Sequence, residues 1–153
     1  MSDLEFKQGD VVYFNFPQEK NPQHTIRGRH PSLILHCHSL PNNTVIISPL
    51  SSLVGSNGNE KELKSYHLKL LKSDYPQLKN DSYVKLDQIM TFSRNKLGKA
   101  KIQFRLRDED ISLSHLKLME SLQMQETFKE ITNIQIERAI NNLLTNLAIE
   151  KTD

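Results

Sequence analysis

Short apolar runs separated by polar turns fill the first part of the chain, and they predict β-strands. Asp10–Phe16 is rich in β-branched and aromatic residues and is followed by Pro17, which ends the run. Pro31–Cys37 and Thr44–Leu50 are nearly continuous apolar runs, which is typical of strands that are covered on both faces. Tyr66–Leu71 alternates between apolar and polar residues and predicts a half-exposed strand.

The stretch Asn80–Phe92, NDSYVKLDQIMTF, also predicts a strand, but it contains a charged pair. Side chains two residues apart share a strand face, so Lys85 and Asp87 are expected on one face, with Val84 and Leu86 on the core side. On an isolated strand such a pair is usually solvated. Alternatively, this face is the floor of a cleft, where the aspartate acts as a base and the lysine stabilises charge.

The last part of the chain has the periodicity of α-helices. After a short last strand, Ile102–Leu106, apolar residues recur at three- and four-residue spacings in Ile111–Leu122 and again in Ile136–Leu147. Thr132 or Asn133 either breaks this region into two helices or lies inside one continuous helix. Strands followed by helices predict an α+β fold with a small antiparallel barrel.

A polar segment, Glu19–His30, contains one proline and one glycine and predicts a loop. Within it lie His24, Arg27, Arg29 and His30, which form a local positive site. Arginine suits phosphate oxygens because its planar fork donates two hydrogen bonds, and histidine can transfer a proton near neutral pH. The segment is therefore either a solvated basic loop or a binding site for an anion.

The length of the chain indicates one domain, and its single cysteine and N-terminal sequence lead us to expect it in the cytoplasm. The chain has 153 residues, a formal net charge of +2 and a mean hydropathy of -0.54, with no membrane-length apolar run and no secretion signal. A single cysteine, Cys37, allows no intrachain disulfide. Although His36 and His38 flank it, no second cluster has metal-ligand spacing, and phosphate-binding and dinucleotide-binding fingerprints are absent from the sequence. We therefore expect neither a metal nor a cofactor.

Four segments, in this order, resemble the MazF/PemK family of toxin ribonucleases. They are QGDVVYFNFP (Gln8–Pro17), RGRHPSLIL (Arg27–Leu35), NTVIISPLSS (Asn43–Ser52) and DSYVKLDQIMTFSRNKL (Asp81–Leu97). Each motif is short, and the order and spacing of all four carry the resemblance. It extends from about Gly9 to Leu122.

The resemblance implies an α+β fold: a small SH3-like antiparallel β-barrel of the PemK/MazF/CcdB kind with C-terminal helices, usually homodimeric. Residues 1–126 would form the barrel and its terminal helix. Residues 127–153 exceed a typical member, and we expect an extra helical extension of the same domain that packs on the barrel, extends a dimer interface or occupies the groove. Its apolar stripe needs burial and its polar face is mixed in charge, which favours packing or dimerisation.

The implied function is that of the toxin in a type II toxin–antitoxin system. Such a toxin is a metal-independent, sequence-specific endoribonuclease that cleaves single-stranded RNA through the 2′-hydroxyl. A cognate antitoxin would cover the RNA groove, and DNA would be bound only through the antitoxin complex.

Carried over by position, the resemblance assigns catalytic roles to five residues. Asp87 matches a proposed general base, Lys85 a residue that acts as acid or charge stabiliser, and His24 a loop histidine of some members. Ser51 matches an RNA-contacting threonine, and Arg29 is the candidate for the family's catalytic arginine. The predicted substrate-binding residues are Arg27, His30, Ser52, Gln88 and Thr91.

The sequence departs from the family at its Arg-Pro pair, which reads His30–Pro31 here, with Arg29 one residue earlier. Three outcomes follow: a shift in the loop brings Arg29 into the site, His30 takes its role, or catalysis is weakened. Lys85, in place of an arginine, also lacks the bidentate fork. The third outcome leads to an alternative function, a PemK-like barrel that binds nucleic acid or protein without cleaving RNA.

Overall fold

The computed structural model describes residues 5–18, 26–38 and 42–149. The predicted catalytic residue His24 lies outside these ranges. The chain divides into two compact units, residues 1–121 and residues 122–153. The strands are β1 (Asp10–Phe16), β2 (Gly28–Cys37), β3 (Thr44–Ser52), β4 (Leu68–Leu70), β5 (Ser82–Val84), β6 (Met90–Ser93) and β7 (Ile102–Arg105). The helices are a 3-10 helix (Arg94–Leu97), α1 (Asp108–Ser121) and, in the second unit, α2 (Gln125–Ile149).

The seven strands form one curled antiparallel sheet in the order β4-β5-β3-β2-β1-β7, and β6 also pairs with β3. β3 is the organising strand because it has partners on both edges. β2 runs along one edge, while β6 pairs with Thr44–Ile47 and β5 with Leu50–Ser52 along the other. The curled sheet and the two C-terminal helices confirm the predicted α+β fold.

Alternation along the strands divides the buried side chains of the first unit between the two faces of the sheet. One cluster includes Val11, Leu33, Leu50 and Val84, and Ile111 and Leu118 of α1 pack against it. We call this side of the sheet the α1 face. The other cluster, on what we call the opposite face, includes Val12, Phe14, Ile34 and Ile47.

Gly9 lets the start of β1 approach α1 closely. Its φ is +90°, and a Cβ built there would lie 2.4 Å from Cδ1 of Ile111. Only glycine combines this backbone conformation with the absence of a side chain. The adjacent Asp10 is buried, accepts a hydrogen bond from the Lys7 amide at 2.7 Å, and pairs with Arg105 at 3.1 Å. These contacts hold β1, β7 and α1 together.

The predicted strand Asn80–Phe92 is wrong as a single element. It forms β5 and β6, separated by a turn in which the Gln88 amide donates to the Lys85 carbonyl at 2.8 Å. Both short strands pair with β3, and the turn crosses that strand where the Lys85 amide donates to the Pro49 carbonyl at 2.9 Å. Lys85 and Asp87 are therefore brought together by a turn and not by a shared strand face.

Two other predicted boundaries also move. β2 begins at Gly28, so Arg29 and His30 lie in a strand and not in the predicted loop Glu19–His30. The helical region breaks between Ser121 and Gln125, where Gln123 has a φ of +56°, and α2 continues through residues 132–133. Within the described part of the chain, neither helix is long and apolar enough to span a membrane.

Candidate active site

The end of β3 sends two consecutive serines to opposite faces of the sheet. Ser52 pairs with Ser82, and its side chain lies on the same face as those of Leu50 and Val84, which is the α1 face. Ser51 pairs with Tyr83, so these two side chains project from the opposite face. β3 extends two residues beyond the predicted end at Leu50, which is why both serines have defined directions.

The same alternation separates Arg29 from His30. Arg29 pairs with Asn15, and its guanidinium carbon lies 4.7 Å from the ring centre of Tyr13, on the α1 face. His30 pairs with Phe14, a core residue of the opposite face. Neighbouring strand residues point to opposite sides, so the one-residue offset from the family's arginine reverses the direction of the side chain.

The register between β2 and β3 directs His30 toward Ser51. The last paired residues of this ladder are Ser32 and Pro49. Continued by two residues, the same antiparallel register sets His30 across from Ser51 and Arg29 across from Ser52. His30 and Ser51 thus share the opposite face at the end of the sheet, and both are half-buried.

Lys61 brings a positive charge to Ser51. Its Nζ donates to Oγ of Ser51 at 3.1 Å and to the carbonyl of Ser52 at 2.9 Å. The same ammonium lies 5.7 Å from the ring centre of Tyr83, within range of a cation–π interaction. A cation held by a hydroxyl, a carbonyl and an aromatic face is preorganised to meet an anionic group at Ser51.

His67 and Asp87 form a second polar pair in this cluster. Nε2 of His67 lies 3.3 Å from Oδ1 of Asp87, and the backbone amide of Lys64 donates to Nδ1 at 3.2 Å. Because Nδ1 accepts a hydrogen bond, the neutral ring carries its proton on Nε2 and donates it to the carboxylate. The histidine therefore orients Asp87, whose side chain is 36% exposed and open to a ligand.

The environment of His67 favours the neutral ring. Its side chain is only 9% exposed, and its ring centre lies 4.8 Å from that of Tyr83 and 5.0 Å from that of Tyr66. Burial lowers the pKa of His67 below its usual value, against the opposing effect of the Asp87 carboxylate. The ring is thus a hydrogen-bond donor at neutral pH and not a permanent cation.

Lys85 is also partly desolvated. Burial lowers the pKa of its ammonium, the nearby Lys61 lowers it further, and Asp87 opposes the change. The backbone fixes its position, because the Lys85 carbonyl accepts a hydrogen bond from Ser48 Oγ at 2.7 Å. A lysine in this state releases a proton more readily than one in water.

The structure brings some of the predicted site residues together and separates others. Ser51, Lys85 and Asp87 belong to one polar cluster, and strand alternation assigns His30 to the same face of the sheet. Gln88 accepts a hydrogen bond from the Ile26 amide at 3.0 Å, which ties the segment that precedes β2 to the same turn.

The remaining predicted residues lie elsewhere. Arg29 and Ser52 lie on the α1 face, and Arg27 is exposed just before β2. Thr91 pairs with Ile46, at the far end of β3 from Ser51.

Sequence reasoning missed two members of the cluster, Lys61 and His67. Lys61 lies in the polar segment Ser51–Ser65, which the sequence indicates only as a flexible connection, and His67 lies in the predicted strand Tyr66–Leu71. A lysine and a histidine in such segments carry no distinguishing signal, because only the tertiary contacts with Ser51 and Asp87 give them a role. The described residues contain no group of three or more His, Cys, Asp or Glu side chains arranged to hold a metal ion.

Comparisons with known proteins agree with this fold. The family described as "PemK-like, MazF-like toxin of type II toxin-antitoxin system" matches residues 7–122. Among solved structures, MazF from Deinococcus radiodurans is 18% identical with a TM-score of 0.59, and the match covers 80% of this chain and 100% of that one. No curated protein sequence matches the chain.

Two solved complexes are also similar. A MazE-MazF complex from Deinococcus radiodurans is 16% identical with a TM-score of 0.55, covering 78% of this chain and 97% of that one. An endoribonuclease in complex with its cognate antitoxin, from a mycobacterial species, is 17% identical with a TM-score of 0.55 and the same coverage of 78% and 97%. At these identities the structures show a shared fold, while the family match spans most of the sequence. The chain therefore belongs to the PemK-like, MazF-like toxin family of type II toxin–antitoxin systems.

Proposed function

We propose that this toxin is a metal-independent endoribonuclease that cleaves single-stranded RNA in the cytoplasm. The observation that carries the proposal is the cluster on the opposite face, where Ser51, Lys61 and the His67–Asp87 pair meet beside Lys85. It combines a carboxylate that can accept a proton, a lysine that can release one, and a fixed cation. RNA cleavage through the 2′-hydroxyl needs a base for the attacking oxygen, an acid for the leaving oxygen and a positive charge near the phosphorus.

Asp87 is the proposed general base. Its carboxylate takes the proton of the 2′-hydroxyl while the 2′-oxygen bonds to the adjacent phosphorus. His67 donates a hydrogen bond to one carboxylate oxygen at 3.3 Å and so fixes the direction of the other. We expect His67 to act as a positioning residue and not as the base itself, because its Nδ1 is occupied by the Lys64 amide.

Lys85 is the proposed general acid. As the bond from phosphorus to the 5′-oxygen breaks, Lys85 gives a proton to that oxygen, and the products carry a 2′,3′-cyclic phosphate and a 5′-hydroxyl. Its lowered pKa supports this role, because proton transfer is efficient when the pKa of the acid approaches the working pH.

Charge on the pentacoordinate phosphorus is met by Lys61, His30 and the Ser51 hydroxyl. Lys61 is held at Ser51 by a 3.1 Å hydrogen bond, so it needs no rearrangement when charge develops. Of the three outcomes for the altered Arg-Pro pair, the strand directions favour His30 as the replacement. Arg29, on the α1 face, would then contact RNA beside the site, together with Ser52.

The proposed partners follow from the family. A cognate antitoxin would cover the RNA-binding surface, and the similar mycobacterial endoribonuclease is found in complex with its cognate antitoxin. We propose that this toxin acts as a homodimer and meets DNA only through its antitoxin complex.

A second candidate function is a binding module that holds RNA or a protein without cleaving. The observation in its favour is His30 in place of the family's arginine. It predicts RNA affinity without cleavage products.

The two functions are separated by incubating a long single-stranded RNA with purified protein in EDTA. Asp87→Asn keeps the shape of the side chain and removes the base, so the proposal predicts a loss of about 10²–10⁴-fold in cleavage rate. Glu62→Gln, an exposed acid outside the cluster, is the matched control and should cleave like the unmodified protein. Intact RNA with folded, unmodified protein would leave the binding module as the function.

A further inference from the structure

A pocket of about 250 Å³ opens on the α1 face, beside the end of the β2–β3 ladder. Its apolar lining comes from Tyr13, Leu50, Leu78 and Phe104, which belong to β1, β3, the turn before β5, and β7. Leu50 and Leu78 are buried, while the Tyr13 side is open, with 40% of that residue exposed. The pocket thus has an apolar floor and one accessible aromatic ring.

The rim of the pocket is polar and carries no negative charge. The side chains of Gln77, Asn80 and Gln103 can each donate and accept hydrogen bonds, and Lys79 adds a cation. No aspartate or glutamate is among the described residues that line it. Arg29 lies over the Tyr13 ring at 4.7 Å, which adds a second flat, positively charged surface. A flat ligand with hydrogen-bonding edges on an anionic chain fits this lining.

The pocket adjoins the proposed active site. The pocket is also lined by His30, Ser51 and Ser52. These residues lie just beyond Ser32 and Pro49, the last residues that β2 and β3 pair with each other. Residues from the start of β2 and the end of β3 therefore border both the proposed catalytic cluster and the pocket. If a phosphate group of the RNA binds at Ser51 and His30, the adjacent nucleotide lies within reach of the pocket.

We propose that this pocket receives one unpaired base of the RNA next to the cleaved phosphate and so selects the cleavage sequence. The base stacks against the Tyr13 and Arg29 surfaces, and the amides of Gln103 and Asn80 read its edge. This inference rests on the proposed ribonuclease function for the identity of the ligand. An aromatic side chain of a protein partner is the competing occupant, but it would leave the three rim amides without matching polar groups.

The first test measures binding, so that it does not depend on cleavage. Fluorescence anisotropy measures the affinity for short single-stranded RNAs of mixed sequence, whose 2′-O-methyl groups prevent cleavage. A second set of the same RNAs lacks the base at one nucleotide at a time. Tyr13→Leu is expected to weaken binding of the intact RNA about ten-fold or more. It should have no effect on the RNA that lacks the inserted base, whereas Tyr13→Phe, which keeps the ring, should lose less affinity.

The second test maps the 5′-hydroxyl ends that the unmodified protein and Gln103→Ala produce from total RNA. We expect Gln103→Ala to relax the base preference at one position, and exposed Lys99→Ala to leave the profile unchanged. Thermal melting shows whether each variant is folded.

Three results are distinguishable. Loss of base-dependent binding in Tyr13→Leu together with an altered cleavage profile in Gln103→Ala supports the pocket. Base-dependent binding without any cleavage by the unmodified protein supports the pocket and overturns the ribonuclease function. Unchanged RNA affinity in Tyr13→Leu and an unchanged profile in Gln103→Ala overturn the proposal that the pocket receives a base, whether or not the protein cleaves RNA.

Discussion

The two faces of the sheet differ most where β2 and β3 come to the end of their ladder. On the opposite face, Lys61 donates to Ser51 at 3.1 Å, and Nε2 of His67 lies 3.3 Å from Oδ1 of Asp87. On the α1 face, a few residues away, the surface is an apolar pocket with an amide rim. The first arrangement suits proton transfer and charge stabilisation, and the second suits recognition of a flat ligand.

Strand geometry creates this division from adjacent residues. Arg29 and His30 are neighbours, as are Ser51 and Ser52, yet each pair sends one side chain to each face. An offset of one residue in a strand therefore reverses the face that a side chain occupies. His30, and not Arg29, shares the face of the proposed catalytic cluster.

Removal of the Lys61 charge is the largest expected effect within this comparison. Lys61→Met keeps the aliphatic stem and removes the ammonium that donates to Ser51, so the cleavage rate should fall by about 10²–10³-fold, as for a lost donor to a developing anion. Lys96→Met is the control, because Lys96 is exposed in the 3-10 helix Arg94–Leu97, which follows β6 at the far end of β3 from Ser51. Single-turnover cleavage of an RNA containing one target site measures both. Equal rates for the two variants would contradict the role of Lys61.

Ser51 and Ser52, which point to different faces, give the next largest expected difference in cleavage rate. Ser51→Ala removes the hydroxyl that accepts a hydrogen bond from Lys61 at the proposed phosphate site. A hydrogen bond to a charged group is worth about 1.5–3 kcal/mol, or roughly 10–150-fold in rate. Ser52→Ala should change the rate much less, since its side chain is on the α1 face. The readout is the cleavage rate under single-turnover conditions. A larger loss for Ser52→Ala would show that the division between the faces is wrong.

The pH dependence of stability gives the smallest effect. Because burial lowers the pKa of His67 in the folded protein, the unfolded chain binds its proton more readily. The contribution of this group is fully favourable above the ordinary histidine pKa, and it declines as the pH falls from there through the folded-state pKa.

The measurement is urea unfolding of the original protein and His67→Gln between pH 5 and pH 8. The glutamine amide still donates to Asp87 but does not titrate, so the variant should lose less stability on acidification. Identical slopes for the two proteins would contradict a buried, neutral His67.

The sequence predicts the strands better than the site. β1 forms over the predicted residues Asp10–Phe16, because its composition and its terminating Pro17 act locally. The predicted strand Asn80–Phe92 divides into β5 and β6, since β3 offers both of them its edge and the chain turns at Leu86–Asp87 between them. That turn contains neither glycine nor proline, so alternation alone could not reveal it.

The site depends on long-range contacts that no local pattern contains. Strand alternation alone singles out Lys85 and Asp87, and the resemblance adds Ser51 through its position in a motif. Lys61 and His67 join them only after the segment between β3 and β4 folds back, with His67 reaching Asp87 across 20 residues of sequence. The start of β2 at Gly28 likewise depends on pairing with β1, and the directions of the side chains that follow depend on it.

The most direct test of the account compares His30→Ala with Arg29→Ala in the cleavage of single-stranded RNA in EDTA. The account predicts that the original protein cleaves and leaves 2′,3′-cyclic phosphate ends. His30→Ala should be slower by about 10²–10³-fold, as for loss of a hydrogen-bond donor to the charge that develops at the phosphorus. Arg29→Ala should lose only about five-fold, the worth of an exposed cation on an aromatic ring. Abolished cleavage in Arg29→Ala with full activity in His30→Ala would contradict the assignment of the catalytic cluster to the opposite face.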